Sequence, residues 1–144
     1  MPVNLKRAYE KPTASDGTRV LVDRLWPRGL TKDAAALDAW LKDIAPSDEL
    51  RRWFHERPAL WQAFRRKYLA ELASPEAARA LEELYDLAER KRRLTLVFSS
   101  RNQEHNNAVV LKQLIEGMRK PPSSSGPKGA AAATPRAARA QRRR

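Results

Sequence analysis

The stretch Leu94-Thr95-Leu96-Val97-Phe98 carries no charge and is followed directly by the polar run Ser99-Ser100-Arg101-Asn102. A continuously apolar stretch of this length predicts a strand that is covered on both faces, as the strands of parallel sheets are. Upstream, Arg19-Val20-Leu21-Val22-Asp23 predicts a second strand, because β-branched residues lie at its centre. Residues 4–9 predict a third strand.

Helical patterns separate these strands. Ser47 and Ser74 are of a residue type that caps helix N-termini, so we expect helices to begin directly after them. Pro58 suits the first position of a helix that lies between those two. Residues 32–41 are expected to contain a helix, and a final helix is expected from Glu104 to Met118. Strands separated by long helical stretches favour an α/β fold with a small sheet over an all-helical bundle.

The composition excludes several classes of site. The chain has 144 residues, which is the length of one domain with room for one appendage. It contains no cysteine, and this excludes disulfides, thiolate metal sites and a cysteine nucleophile. With only two histidines we expect no metal site, and we expect no cofactor. No apolar run approaches the roughly 20 residues that span a bilayer, and the N-terminus lacks a signal-peptide pattern. We therefore expect a cytoplasmic protein without membrane contacts.

The positive charge is concentrated at the C-terminal end. The net charge is +12, and residues 120–144 contribute seven basic residues and no acidic residue. Because this segment has no large apolar side chain to bury, we predict a folded domain at residues 1–119 and a disordered basic tail at residues 120–144. Such unopposed cations predict nucleic-acid binding through Lys128, Arg136, Arg139, Arg142, Arg143 and Arg144. An inert linker is the alternative.

The candidate site lies in the two loops that follow the two best strands. Ligands of open α/β sheets bind beyond the carboxyl ends of the strands, so we expect these loops to face each other. The candidate ligand-binding residues are Asp23, Arg24, Trp26, Arg28, Ser99, Ser100, Arg101 and Asn102. The arginines suit a phosphate or carboxylate, Trp26 could stack on a base, and the second loop could offer helix N-terminal amides to an anion. The alternative is structural. In the first loop Asp23 pairs with an arginine, Trp26 fills the core and residues 27–29 form a turn. In the second loop the serines and Asn102 cap the helix, and Arg101 lies at the surface.

A second polar group could extend this site and consists of His55, His105, Asn106 and Asn107. A serine nucleophile in the second loop would need a positioned base, and only the two histidines are available for that role. Each histidine has the alternative interpretation of an ordinary surface or hydrogen-bonded residue. Asn106 and Asn107 are poor helix formers, which favours a specific hydrogen-bonding role for them.

Taken together, these blocks resemble the YeaO-like branch of the family called domain of unknown function 488. The resemblance covers about residues 3–118 and rests chiefly on the heptad Asp23-Arg24-Leu25-Trp26-Pro27-Arg28-Gly29. The other matching stretches are residues 16–17, 19–22, 37–40, 44–47, 49–51, 54–55, 64–72, 94–102 and 107–111.

The resemblance implies a fold similar to that of rhodaneses and cysteine phosphatases. Such a fold has a small, mainly parallel sheet with helices on both faces and an anion-binding loop after a central strand. Other branches of the family carry a cysteine at the end of that strand and a Cys-His-Arg run near the next helix. Here Phe98 stands at the first of these places and Asn106-Asn107-Ala108 at the second. Thiol phosphatase and sulfur-transfer chemistry are therefore not expected.

These considerations favour a non-catalytic domain that binds an anionic small molecule, a nucleotide or nucleic acid. The alternative is a hydrolase or nucleotide-modifying enzyme that uses the same crevice without a cysteine nucleophile. A third interpretation is a structural adaptor in which the motifs serve packing alone.

Overall fold

A computed structural model describes residues 3–118 of the chain. These residues form a four-stranded parallel sheet and five α-helices, which confirms the predicted α/β fold. The strands are β1 (Val3–Arg7), β2 (Thr18–Leu21), β3 (Ala39–Trp40) and β4 (Leu94–Phe98). The helices are α1 (Lys32–Ala35), α2 (Asp48–Glu56), α3 (Trp61–Glu71), α4 (Pro75–Arg90) and α5 (Asn107–Met118). The predicted tail, residues 120–144, lies outside the described residues.

Strand β4 lies in the middle of the sheet, in the order β1-β4-β2-β3. It pairs with β1 along its whole length, from Val3 opposite Leu94 to Arg7 opposite Phe98, and with β2 on its other side. All five of its side chains are buried, as the uncharged sequence of the strand predicts. Because every strand is parallel, their carboxyl ends meet at one edge of the sheet, where the polar loops begin.

The main core lies between one face of the sheet and helices α2 to α5. Alternate strand residues such as Val20, Leu96 and Phe98 supply the sheet side of this core. Tyr68 of α3 is completely buried within it, and its hydroxyl donates a 2.6 Å hydrogen bond to the carbonyl of Ile44. Burial of this apolar surface is the dominant stabilising contribution to such a fold.

The opposite face of the sheet has a much thinner cover. Its apolar cluster consists of the buried residues Ala8, Leu21 and Val97 and the partly buried Trp26, Leu30, Leu37 and Trp40. The one-turn helix α1 lies on this face, where the carbonyl of Ala35 accepts two hydrogen bonds from Arg19. Helices therefore cover both faces, as predicted, but four of the five lie on one side.

The helix expected within residues 32–41 is present as the short α1, and the strand β3 follows it where no strand was predicted. Two predicted helix starts were wrong: α3 begins at Trp61 rather than at Pro58, and α5 begins at Asn107 rather than at Glu104. In both cases a hydrogen-bonded turn precedes the helix. Before α3 the amide of Leu60 donates to the carbonyl of Arg57, and before α5 the side chain of Asn102 accepts from the amides of Glu104 and His105.

A buried ionic cluster fixes the loop that precedes β2. The carboxylate of Asp16 accepts hydrogen bonds from Lys6 at 3.0 Å and from Arg19 at 2.8 Å. Burial acts to raise the pKa of Asp16, but the hydrogen bonds from the Thr13 amide and hydroxyl, Lys6 and Arg19 outweigh burial and lower the pKa from 3.8 to about 2. The carbonyl of Asp16 also accepts from the Thr95 hydroxyl at 2.7 Å, which ties the loop to the central strand.

None of the helices within residues 3–118 is long and apolar enough to cross a membrane.

We expect Asp16→Asn to lower the free energy of unfolding by about 3 kcal/mol at pH 7, because it leaves the guanidinium of Arg19 buried without its counter-ion. The folded-state pKa lies below the ordinary value of 3.8, so the stabilisation by Asp16 is fully present above pH 4 and is lost as the pH falls toward 2. Denaturant unfolding of both proteins at several pH values measures this difference. The exposed Asp43→Asn is the matched control, and equal stabilities of the two variants at pH 7 would contradict the prediction.

Candidate functional site

An open cleft of about 850 Å³ lies at the carboxyl edge of the sheet. Its walls come from the loops after β1, β2 and β4, from the segment before α2, and from α2 itself. Every candidate residue named from the sequence lines it: Asp23, Arg24, Trp26, Arg28, His55, Ser99, Ser100, Arg101, Asn102, His105, Asn106 and Asn107. The two loops predicted to face each other are therefore brought together.

Asp23 connects the structural elements around the cleft. Its Oδ2 accepts hydrogen bonds from the Ser99 amide at 2.9 Å and from the Ser99 hydroxyl at 2.7 Å. Its Oδ1 accepts from Nδ2 of Asn107, at the start of α5, at 3.2 Å. Its backbone carbonyl accepts from the Trp40 indole at 2.7 Å. Among the described residues Asp23 forms no ion pair, so its carboxylate is bound by neutral donors rather than by an arginine.

Two arginines of the cleft use part of their guanidinium groups to hold backbone carbonyls. Arg7 donates to the carbonyls of Ser99 and Ser100 at 3.1 and 3.0 Å, which fixes the start of the loop after β4. Arg24 donates to the carbonyl of Ala45 at 3.0 Å and thereby holds the segment before α2. An arginine has five N–H donors, so each keeps donors for other acceptors.

Three further arginines, Arg28, Arg51 and Arg101, are exposed and line the same cleft. Within residues 3–118 the side chains of Arg28 and Arg101 make no hydrogen bond or ion pair, and Arg51 makes a 3.3 Å contact with Asp48 on the helix surface. The lining thus contains five arginines and a single carboxylate, that of Asp23. A concave surface lined by one sign of charge concentrates ligands of the opposite charge.

The loop between β4 and α5 uses several of its amides internally. Oδ1 of Asn102 accepts from the amides of Glu104 and His105 at 3.0 and 2.9 Å. Asn106 caps α5 by accepting from the amide of Val109 at 3.1 Å. The amides that the sequence offered to an external anion are therefore partly satisfied by side chains of the loop. Asn102 has a structural role, but it binds the turn before α5, and the helix itself is capped by Asn106.

Trp26 has a structural role in the wall of the cleft. Its indole donates a 2.6 Å hydrogen bond to the carbonyl of Leu30, and its ring meets that of Trp40 edge-on at 5.5 Å. The ring packs on the thinly covered face of the sheet. This arrangement favours the packing alternative over stacking on a base, because the polar atom and part of the ring are already engaged.

Aromatic side chains from α2, α3 and the loop before α5 form another part of the cleft wall. The imidazole of His105 stacks on Trp61 at 4.6 Å with an angle of 12° between the planes. Phe54 stacks on Phe64 at 4.4 Å, and both rings line the cleft. His55 is exposed on α2. Nothing among residues 3–118 pairs either histidine with a serine hydroxyl.

The described residues contain no group of three acidic or histidine side chains that could hold a metal ion.

Sequence reasoning missed Arg7, Arg51 and Phe54, all of which line the cleft. Arg7 ends β1, so the rule that places ligands beyond strand ends applies to it as well as to the two better strands. Arg51 precedes His55 by four residues on α2 and so shares its helix face. Both signals were present in the sequence.

The family model described as the inactive DUF488-N3 subclade matches residues 2–133. The uncharacterized protein YeaO of Escherichia coli is 45% identical over 118 residues, which cover 82% of this chain and all of the relative. The chain is a YeaO-like member of the DUF488 family. Within this family, the uncharacterized protein Rv3073c of Mycobacterium tuberculosis is 42% identical over 115 residues, covering 80% of this chain and 94% of the relative.

No solved structure matches this DUF488 chain, so the implied likeness to rhodaneses and cysteine phosphatases stays a prediction. Phe98, which the resemblance aligns with a cysteine of other branches, is buried in the main core and does not line the cleft.

We expect Trp26→Ala to lower the free energy of unfolding of this DUF488 protein by about 3 kcal/mol, the lower end of the range for packed aromatic residues, because the ring is only partly buried. Leu25→Ala is the control: Leu25 is 56% exposed, so its removal should change stability by less than about 0.5 kcal/mol. Denaturant unfolding of both variants measures the difference. A Trp26→Ala protein as stable as the wild type would contradict the structural role of the ring.

Proposed function

We propose that the protein is a non-catalytic domain that binds an anionic ligand in the cleft at the carboxyl edge of the sheet. The observation that carries the proposal is the charge of the lining, five arginines against one aspartate. Guanidinium groups bind phosphate and carboxylate in a bidentate manner, so the ligand class includes phosphate-bearing small molecules, nucleotides and nucleic acid.

The hydrogen bonding of the serines supports binding rather than catalysis. The hydroxyl of Ser99 donates to Asp23, and that of Ser100 donates to the carbonyl of Asn102 at 3.4 Å. A serine nucleophile needs a base to remove its proton, and the two histidines of the cleft do not contact either hydroxyl. The sequence contains no cysteine, and the matching subclade is itself described as inactive.

The alternative function is a hydrolase or nucleotide-modifying enzyme that uses Ser99. The observation in its favour is the 2.7 Å contact between the Ser99 hydroxyl and the Asp23 carboxylate, in which Asp23 would take the proton. Hydrolysis of an activated phosphate ester that Ser99→Ala abolishes would support the enzyme and overturn the non-catalytic proposal. Our proposal predicts that the wild type hydrolyses this ester no faster than buffer without protein does.

Nucleic acid is the second partner that we propose, through the basic tail. The seven basic residues of 120–144 have no acidic neighbour in that segment, and small residues separate most of them. Such a segment attracts nucleic acid through its charge, and attraction to the phosphate backbone does not depend on the base sequence. The tail would add electrostatic affinity to any contact made by the cleft.

We expect Arg28→Ala and Arg101→Ala each to weaken the binding of inorganic triphosphate about tenfold, since each removes one charge-assisted contact worth about 1.4 kcal/mol. Thermal unfolding should change little, because neither side chain makes a hydrogen bond within the described residues. Isothermal titration calorimetry measures the affinity. Arg66→Ala, an exposed arginine of α3 outside the cleft lining, is the matched control. Equal losses in all three variants would show that binding follows net charge and not the cleft.

We expect the full chain to bind duplex DNA with a log-affinity against log-salt slope of up to about −6, from roughly −0.9 for each of seven neutralised phosphates. A chain that ends at Arg119 should unfold as cooperatively as the full chain and show a much shallower slope. Salt titrations of DNA and RNA binding by both chains measure these slopes. Equal slopes and affinities would identify the tail as a passive linker, and a strong preference for one sequence would assign recognition to the folded domain.

A further inference from the structure

The carboxylate of Asp23 occupies a position that has the donors of an anion site. Three neutral donors converge on it: the Ser99 amide at 2.9 Å, the Ser99 hydroxyl at 2.7 Å and Nδ2 of Asn107 at 3.2 Å. They belong to two segments, the residue that follows the central strand and the first residue of α5. Asn107 is buried and is held in place by a second hydrogen bond, at 2.9 Å, to the carbonyl of Val22.

Convergent, preoriented amide and hydroxyl donors are the groups that bind a carboxylate or phosphate oxygen in proteins. Here the protein's own side chain takes their hydrogen bonds. An external anion at this position would have to displace the carboxylate or to lie beside it. The second arrangement is unfavourable because like charges a few ångströms apart in a partly buried site repel each other.

From this arrangement we infer that Asp23 determines which anions the cleft accepts, by acting as a built-in carboxylate that excludes a single compact phosphate from the loop after β4. The inference rests on the proposed anion-binding function and makes it more specific. The cleft then binds extended phosphate chains with several charges, which contact the exposed arginines Arg28, Arg51 and Arg101.

The distribution of the arginines supports this ligand class. Arg7 and Arg24 donate part of their N–H groups to backbone carbonyls. The other three arginines of the lining, Arg28, Arg51 and Arg101, are exposed, and most of their N–H groups are available to a ligand. These three come from the loop after β2, from α2 and from the loop after β4. An anion with several charged groups can engage more than one of these segments at the same time, which a single phosphate does less well.

The first experiment compares inorganic phosphate with inorganic triphosphate by calorimetry. The wild type should bind triphosphate at least tenfold more tightly than phosphate. Asp23→Asn keeps the shape of the side chain and removes its charge, so it should raise the affinity for phosphate about tenfold and that for triphosphate by less. Asp38→Asn is the matched control, since Asp38 also accepts a backbone amide, that of Arg19 at 2.8 Å, but does not line the cleft.

An unchanged phosphate affinity in Asp23→Asn, or an equal rise in Asp38→Asn, would overturn the inference. A wild type that binds neither phosphate nor triphosphate would instead overturn the proposed function. The second experiment separates these two cases, because it concerns the donors around Asp23 and needs no ligand in the outer cleft.

The second experiment is chemical rescue of Asp23→Ala by formate, which supplies the missing carboxylate. Formate should raise the unfolding temperature of Asp23→Ala by about 4 °C more than sodium chloride at equal ionic strength does, and should give no such excess for the wild type or Asp38→Ala. If Asp23→Ala folds only in formate, the inference is supported as well. If formate has no specific effect, or if the variant remains unfolded in its presence, the donors do not form an anion site and the inference is wrong.

Discussion

The carboxylate of Asp23 joins the end of β2 to the first residue after β4 and to the start of α5, and the arrangement of the cleft depends on these contacts. One residue receives hydrogen bonds from the Ser99 amide and hydroxyl, from Asn107 and, at its carbonyl, from the Trp40 indole of β3. Hydrogen bonds to an ionised group are stronger than those between neutral groups. These hydrogen bonds hold the loops after β2 and β4 at a fixed separation, and this separation determines where the arginines of the two loops lie.

The sheet places this junction where it can meet a ligand. Four helices cover one face, while the other carries a thin layer that includes Trp26 and Trp40. Arg7 and Arg24 fasten backbone carbonyls of neighbouring segments, so their positive charges have a structural use as well as an electrostatic one. The exposed Arg28 and Arg101 have no such partner within residues 3–118, and they give the cleft its available positive charge.

The sequence was sufficient for the fold class and for the two loops that supply much of the cleft, because both follow from the pattern of strands and strand ends. The uncharged sequence of β4 predicted a strand covered on both faces, and the loops after parallel strands were expected to face each other at one edge. It was not sufficient for β3, whose two residues carry too little pattern to distinguish a strand from a helix end. The hydrogen-bond partners of Asp23 could not be predicted from the sequence either. The carboxylate was expected to meet an arginine if its role was structural, and three neutral donors hold it instead, 76 or more residues away in the chain.

The most direct test of this account is a high-resolution crystal structure of the protein grown with inorganic triphosphate. The account predicts a triphosphate that contacts Arg28 and Arg101, while the carboxylate of Asp23 keeps its hydrogen bonds to Ser99 and Asn107. A phosphate group bound to the Ser99 amide, with the Asp23 side chain turned away, would contradict it.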